Sequence, residues 1–304
     1  MHPPHPLHPT LPARAALVAL ALLALVPTGR AQSGRRAPVS DTEDARLSTV
    51  RVGDGRLHPL LDLDLRNGDF VRGVYDDDAA GLRRVPAHVQ LGLVYELARD
   101  ADAAPTAWLM LRSSNGLHPP SSAERASPRI WYESNNSLGV AARFGGSAFG
   151  ALTDTVKTSP NDASATTHEM SAALSLDGES GVGAVRPGVV ATWRPKGGSG
   201  FYTQASIEPE WRIGGAGPSA PRLSLPVVVG VGWRGFYEPG SGHRVHGSAG
   251  LAWQAPLAIG SGRWSVRLEA LALVRDAPLR ALGGPRADHA AVVPYGTLSL
   301  SYAD

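Results

Sequence analysis

The stretch His88-Val89-Gln90-Leu91-Gly92-Leu93-Val94-Tyr95-Glu96-Leu97 places Val89, Leu91, Leu93, Tyr95 and Leu97 on one side of the chain. His88, Gln90, Gly92, Val94 and Glu96 fall on the other. Successive side chains of an extended chain point to opposite faces, so this period of two predicts a strand with an apolar and a largely polar face. Its length is about the ten residues that a tilted strand needs to cross a bilayer.

The pattern recurs along the chain. Leu61, Leu63 and Leu65 alternate with Asp62, Asp64 and Arg66, and Met170, Ala172, Leu174 and Leu176 with Glu169, Ser171, Ala173 and Ser175. Phe201, Thr203, Ala205, Ile207 and Trp211 alternate with Tyr202, Gln204, Ser206, Glu208, Glu210 and Arg212. Further runs centre on Val227–Trp233, Val245–Trp253 and Trp264–Ala270, and weaker ones lie near 106–113, 136–145, 148–158, 183–194 and 291–302. The total is about twelve strands, with no convincing amphipathic helix among them.

Alternation alone suits either a soluble sandwich or a membrane barrel, whose faces are reversed. Three features favour the barrel. Connections alternate in length, with the longer ones on the side opposite the termini. Aromatic residues gather at strand ends on the apolar face: Trp193, Phe201 and Trp233 at an outer rim, and Tyr95, Phe144, Trp211, Trp253, Trp264 and Tyr302 at an inner one. Such girdles mark the headgroup level. Finally, a strand carrying Leu298, Leu300 and Tyr302 on one face nearly ends the chain, two residues before Asp304. The expected fold class is all-β: a closed antiparallel transmembrane β-barrel of about 12 strands in the bacterial outer membrane.

Residues 1–31 are set apart. Arg14 precedes an apolar run from Ala15 to Val26, then Pro27 and Gly29-Arg30-Ala31, the layout of a cleavable signal peptide. Residues 32–56 are polar and aperiodic and predict a flexible periplasmic lead-in, which leaves 57–304 for the barrel. The chain holds 29 Lys+Arg and 27 Asp+Glu; the leader carries Arg14, Arg30 and no acid, so the remainder balances at 27 of each. Basic residues form no stripe, which argues against nucleic-acid binding. Cysteine is absent, excluding disulfides and thiolate chemistry.

The polar face assigns Asp62, Asp64, Arg66, Glu96, Arg186, Glu208, Glu210, Arg212, Arg234, Arg267 and Glu269 to the lumen, with Arg143, Glu169 and Arg194 beside them. Two readings follow: a water-filled passage that filters solutes, or an interior bridged by Arg–carboxylate pairs. No cofactor and no metal site is expected. His88 reads as a lumen residue and His168 as a rim residue, and His243 and His246 would face opposite sides. Asp76-Asp77-Asp78 reads as a solvated loop cluster. Expected partners are outer-membrane lipid, the barrel-assembly machinery, and small solutes if the pore is open.

Asp69-Phe70-Val71-Arg72-Gly73-Val74 is similar to the first strand of TorF-type putative porins, with their acid-or-tyrosine, aromatic, x, Arg-Gly pattern. Trp131–Asn135, Ser159–Ala163 with His168-Glu169, and Gly200–Tyr202 with Glu208-Pro209 also look like blocks of uncharacterised bacterial barrels. The resemblance spans most of 57–302 and implies an outer-membrane barrel without catalytic residues. Glu133-Ser134-Asn135 separately resembles the serine segment of outer-membrane phospholipases, although Tyr132 precedes it and Asn136 stands where glycine would. The leading expectation is a passive channel or porin and no enzyme. The alternatives are a non-conducting structural or adhesive barrel, a hydrolase using Ser134, and a secreted β-sandwich.

Overall fold

The computed structural model describes residues 36–75, 85–100, 105–120, 126–162, 164–178, 181–196, 200–215, 219–238, 240–260, 262–283 and 289–304. The leader (1–31) and Asp76–Asp78 therefore lie outside the described residues.

Chain order is β1 (Arg36–Ser40), β2 (Leu47–Arg51), β3 (Leu57–Arg66), β4 (Phe70–Val71), β5 (Val74–Tyr75), β6 (Ala87–Arg99), β7 (Pro105–Leu117), β8 (Trp131–Phe144) and β9 (Ala148–Thr158). There follow β10 (Thr167–Leu176), β11 (Gly188–Lys196), β12 (Gly200–Ile207), β13 (Glu210–Arg212), β14 (Arg222–Ser224), β15 (Val227–Gly232), β16 (Arg244–Leu257), β17 (Arg263–Arg275) and β18 (Val292–Ala303). Each long strand pairs antiparallel with the next, and β18 pairs back onto β3. The sheet therefore closes without a free edge, as hydrocarbon demands.

Glu208-Pro209 interrupts one transit between β12 and β13, and Leu225-Pro226 interrupts its neighbour between β14 and β15. Proline cannot donate to a ladder, so the two breaks sit side by side, and Leu225 N–H still donates to Pro209 O at 3.0 Å. Counting each broken pair as one transit, twelve strands close the barrel. The weak alternation near 183–194 resolves into a 3₁₀ turn at Gly181–Val185 and the strand Gly188–Lys196. Short proline- and glycine-bearing segments blurred that boundary.

The outward face is apolar. Leu152, Leu91, Leu251 and Leu138 are each more than half exposed, an arrangement stable only against lipid. The aromatics Tyr95, Phe144, Trp193, Phe201, Trp211 and Trp253 stand exposed on this face. Trp233, Trp264 and Tyr302 are partly covered there; Trp264 packs on Tyr302 with ring centroids 4.9 Å apart. Among the described residues no helix is long and apolar enough to cross a membrane; the crossing is made by strands.

Within the segment read as a flexible lead-in, the described residues are ordered. Residues 36–51 form an ordered antiparallel hairpin, with Arg36 opposite Arg51 and Ser40 opposite Leu47. Its turn is closed by Asp41, whose Oδ1 accepts from the backbone of Glu43 (2.7 Å) and Asp44 (3.3 Å). An isolated hairpin is marginal in water. This one is ordered because it lies inside the barrel. Ala37, Val39, Leu47 and Val52 pack in one cluster with the inward residues Leu60, Val94, Trp108, Met110, Ala141 and Phe149. Five-residue strands are too short for periodicity to show, and their apolar partners sit on the polar face of distant strands.

The lumen as candidate functional site

Two segments fill the barrel. The first is the β1–β2 hairpin. The second is the β4–β5 hairpin, in which Phe70 pairs with Tyr75 and Val71 with Val74 around Arg72-Gly73. Both turn residues have positive φ (51° and 83°), the signature of a type I′ turn. The Asp69–Val74 motif is thus an inserted hairpin after the first barrel strand and does not build that strand. Its tip is held by chemistry from across the lumen. Arg72 Nη1 donates to Glu169 Oε1 at 2.8 Å, and Tyr237 Oη donates to the Arg72 carbonyl at 2.6 Å. A Cβ on Gly73 would lie 2.5 Å from Leu279 Cδ2 and 2.8 Å from His246 Cβ, so only glycine fits.

Glu169 is the hub of this upper network. It also accepts from Arg194 Nε (3.0 Å) and Nη2 (2.6 Å), and Lys157 Nζ stands 3.5 Å away. Both guanidiniums also approach the Phe236 ring, Arg72 at 5.6 Å and Arg194 at 4.2 Å, and Tyr202 faces Arg72 at 4.9 Å. Burial opposes charge on Arg72, but the Glu169 carboxylate overrides it and holds the guanidinium more firmly protonated than usual.

A second network links the two hairpins. Arg66 Nη1 donates to both carboxylate oxygens of Glu43 (3.0 and 2.8 Å) and to Asp69 Oδ1 (3.2 Å), and Nη2 donates to Asp64 Oδ2 (3.1 Å). One cation thereby serves the first hairpin, the second hairpin's stem and the wall. Burial pushes the Glu43 carboxyl up, with Arg66 opposing the shift.

Most of the predicted lumen charges are here, and they are paired. Asp62 accepts from Arg112 (2.8 Å) and Asp64 from Gln90 (2.8 Å). Arg186 meets Glu210 (2.6 Å) and Asp177 (3.4 Å), and Arg267 meets Glu208 (2.9 Å) and Glu269 (2.6 Å). Glu96 is fully buried beside His58 (3.0 Å) and Arg99 near the termini. Arg212 ends β13 opposite Arg222 and is exposed, and Arg234 is exposed just past β15. Ser134 sits in β8, its Oγ accepting from Asn136 Nδ2 (3.2 Å), and His168 pairs with Asp154 at 2.6 Å. Sequence reading missed Glu43, Asp69, Arg72 and Glu133. The available signal was Arg-Gly between two apolar pairs, a hairpin pattern.

Beside the first hairpin two adjoining cavities remain, of about 480 and 380 Å³. Thr49, Asp62, Arg186, Gln254 and Ser301 line both. The first opens among Arg263, Trp264 and Tyr302 near the terminal end, and the second reaches Phe70, Arg72 and His246 under the inserted β4–β5 hairpin.

No family model matches the chain, so the TorF-type resemblance gains no support from that side, and no curated protein matches it. Among solved structures, a bacterial polysaccharide outer membrane secretin shares 9% identity over 82% of this chain and 99% of its own, with a TM-score of 0.43. Pseudomonas aeruginosa OpdK with vanillate shares 11% over 82% and 98%, at 0.32. Haemophilus ducreyi BamA lacking POTRA domains 1–3 shares 12% over 95% and 75%, at 0.34. Likeness at this level assigns neither family nor activity. Closure, the apolar belt and the charged interior define the class on their own terms: this is an outer-membrane β-barrel. Within that class it is a twelve-stranded barrel whose lumen holds two of its own hairpins.

Proposed function

We propose that the protein is a gated channel for small polar solutes, with the β4–β5 hairpin as its outer gate and the β1–β2 hairpin as an inner plug. The observation that carries this reading is the pair of adjoining cavities, walled by Asp62, Arg186, Glu208 and Arg267, that ends beneath the β4–β5 hairpin. A lumen built only for rigidity would be filled by side chains throughout. Charges of both signs, each already paired, suit a passage that exchanges partners with a passing solute without leaving a bare ion. The work involves no bond chemistry, and membrane lipid and the assembly machinery are its standing partners.

Planar-bilayer recording tests this. The intact protein is expected to be mostly closed, with brief openings. Gly73→Ala forces the tip away from Leu279 and His246, destabilising the closed gate by about 1–3 kcal/mol, the range for an overpacked contact. Open probability is expected to rise about five- to 150-fold. A barrel that stays silent both intact and as Gly73→Ala, although folded by heat-modifiable migration, overturns the channel reading in favour of a structural surface barrel.

A further inference from the structure

We propose that Glu43, Asp69, His88 and Glu133 form a site for one divalent cation of the zinc or manganese kind. The four come from four separate segments: the turn of the first hairpin, the stem of the second, β6 and β8. All are buried, and their ligand atoms lie within 4.8 Å of one another.

The histidine points to the ligand. Its ring is about 1% exposed, and Nδ1 has no hydrogen-bond partner. That nitrogen faces Glu43 Oε1 at 3.4 Å and Glu133 Oε2 at 3.9 Å. Both distances exceed hydrogen-bond reach, so a protonated Nδ1 would not be satisfied by either carboxylate. Two ligands of a tetrahedral ion with ~2.1 Å bonds stand about 3.4 Å apart, which is the spacing these groups approach.

The proton pattern on the other side of the ring agrees. Tyr132 Oη has one proton and donates it to Asp69 Oδ2 at 2.7 Å. The same oxygen is 2.7 Å from His88 Nε2, which must then be the donor in that contact. In the neutral ring this leaves the Nδ1 lone pair aimed between two carboxylates, the orientation of a metal ligand whose other nitrogen is fixed by an outer-shell bond. The carboxylates are braced too: Arg66 holds Glu43 and Asp69, and Asn135 Nδ2 holds Glu133.

Charge supplies the driving force. Four buried carboxylates, Asp64 among them, crowd this part of the lumen, and Arg66 bonds to three of them, Glu43, Asp64 and Asp69. Crowded buried carboxylates repel one another, and a divalent ion between them offsets that repulsion. One imidazole with three carboxylates suits zinc or manganese, whereas calcium and magnesium favour all-oxygen shells. Bound there, the ion would tie both hairpins to the wall.

The protein, extracted from membranes in detergent and stripped with chelator, is titrated with zinc, manganese and calcium by calorimetry, and bound metal is counted by elemental analysis. One equivalent of zinc or manganese is expected, at least tenfold tighter than calcium. Glu133→Gln and, separately, His88→Gln should weaken it at least a hundredfold, since even outer-shell losses cost ten- to a hundredfold. Glu133→Gln removes a buried like charge, so its metal-free form should melt no lower than the metal-free parent. Absence of a stoichiometric ion, or equal affinity in both folded variants, overturns the site. Binding is read without conductance: one bound equivalent in a barrel that never conducts upholds the site and sinks only the channel reading.

Discussion

Arg66→Ala is expected to free the first hairpin from the barrel and to be the most destabilising single change in the lumen. The guanidinium is the common partner of Glu43, Asp64 and Asp69, with side chains between 0% and 9% exposed. Removing one member of a buried ion pair costs about 3–5 kcal/mol, because the charge left behind stays desolvated. Three carboxylates are left here, so the upper end is expected. Limited proteolysis should then cut within 36–51, where the parent is protected, and the unfolding temperature of the compact gel species should fall. Glu43→Gln removes only one contact and is expected to cost about 1–3 kcal/mol. The double variant should lose less than the two singles combined, since the residues share one interaction. Strict additivity, or a hairpin still protected in Arg66→Ala, would show that the apolar contacts around Trp108 hold it unaided.

Glu169→Gln is expected to release the other hairpin. Three cations converge on this carboxylate, and Arg72 and Glu169 are 2% and 1% exposed. Neutralising it leaves the neighbouring Arg72 and Arg194 guanidiniums without the carboxylate they share. The loss should again be about 3–5 kcal/mol, but confined to the gate, since the β10 ladder with β9 and β11 is backbone. Amide exchange at Phe70–Tyr75 should speed up at least a hundredfold while the strands keep their protection. Uniform loosening of the whole barrel would instead make Glu169 a general strut.

How much of this was legible in the sequence differed between wall and filling. Leu91, Leu152 and Leu174 alternate with inward partners, and a one-residue slip would turn every apolar side chain into the lumen, so register and face were strongly specified. Asp62, Asp64, Arg66, Arg186, Glu208 and Arg267 could be placed inward for the same reason. Arg234 lies just past the end of β15, where parity stops carrying information. Trp108 and Phe149 were hidden differently. They lie on inward positions, where an aromatic residue is explained only by the hairpin it covers.

Chain periodicity by itself determined the class of protein. Lipid outside and closure of the backbone are demands that every strand meets locally, residue by residue, so each segment declares them. Only the tertiary structure decided what occupies the lumen. Glu43 and Arg66 are 23 residues apart, and Arg72 and Glu169 are 97. Those pairings arise because a twelve-strand barrel is wide enough to admit a hairpin and too dry to leave a carboxylate alone.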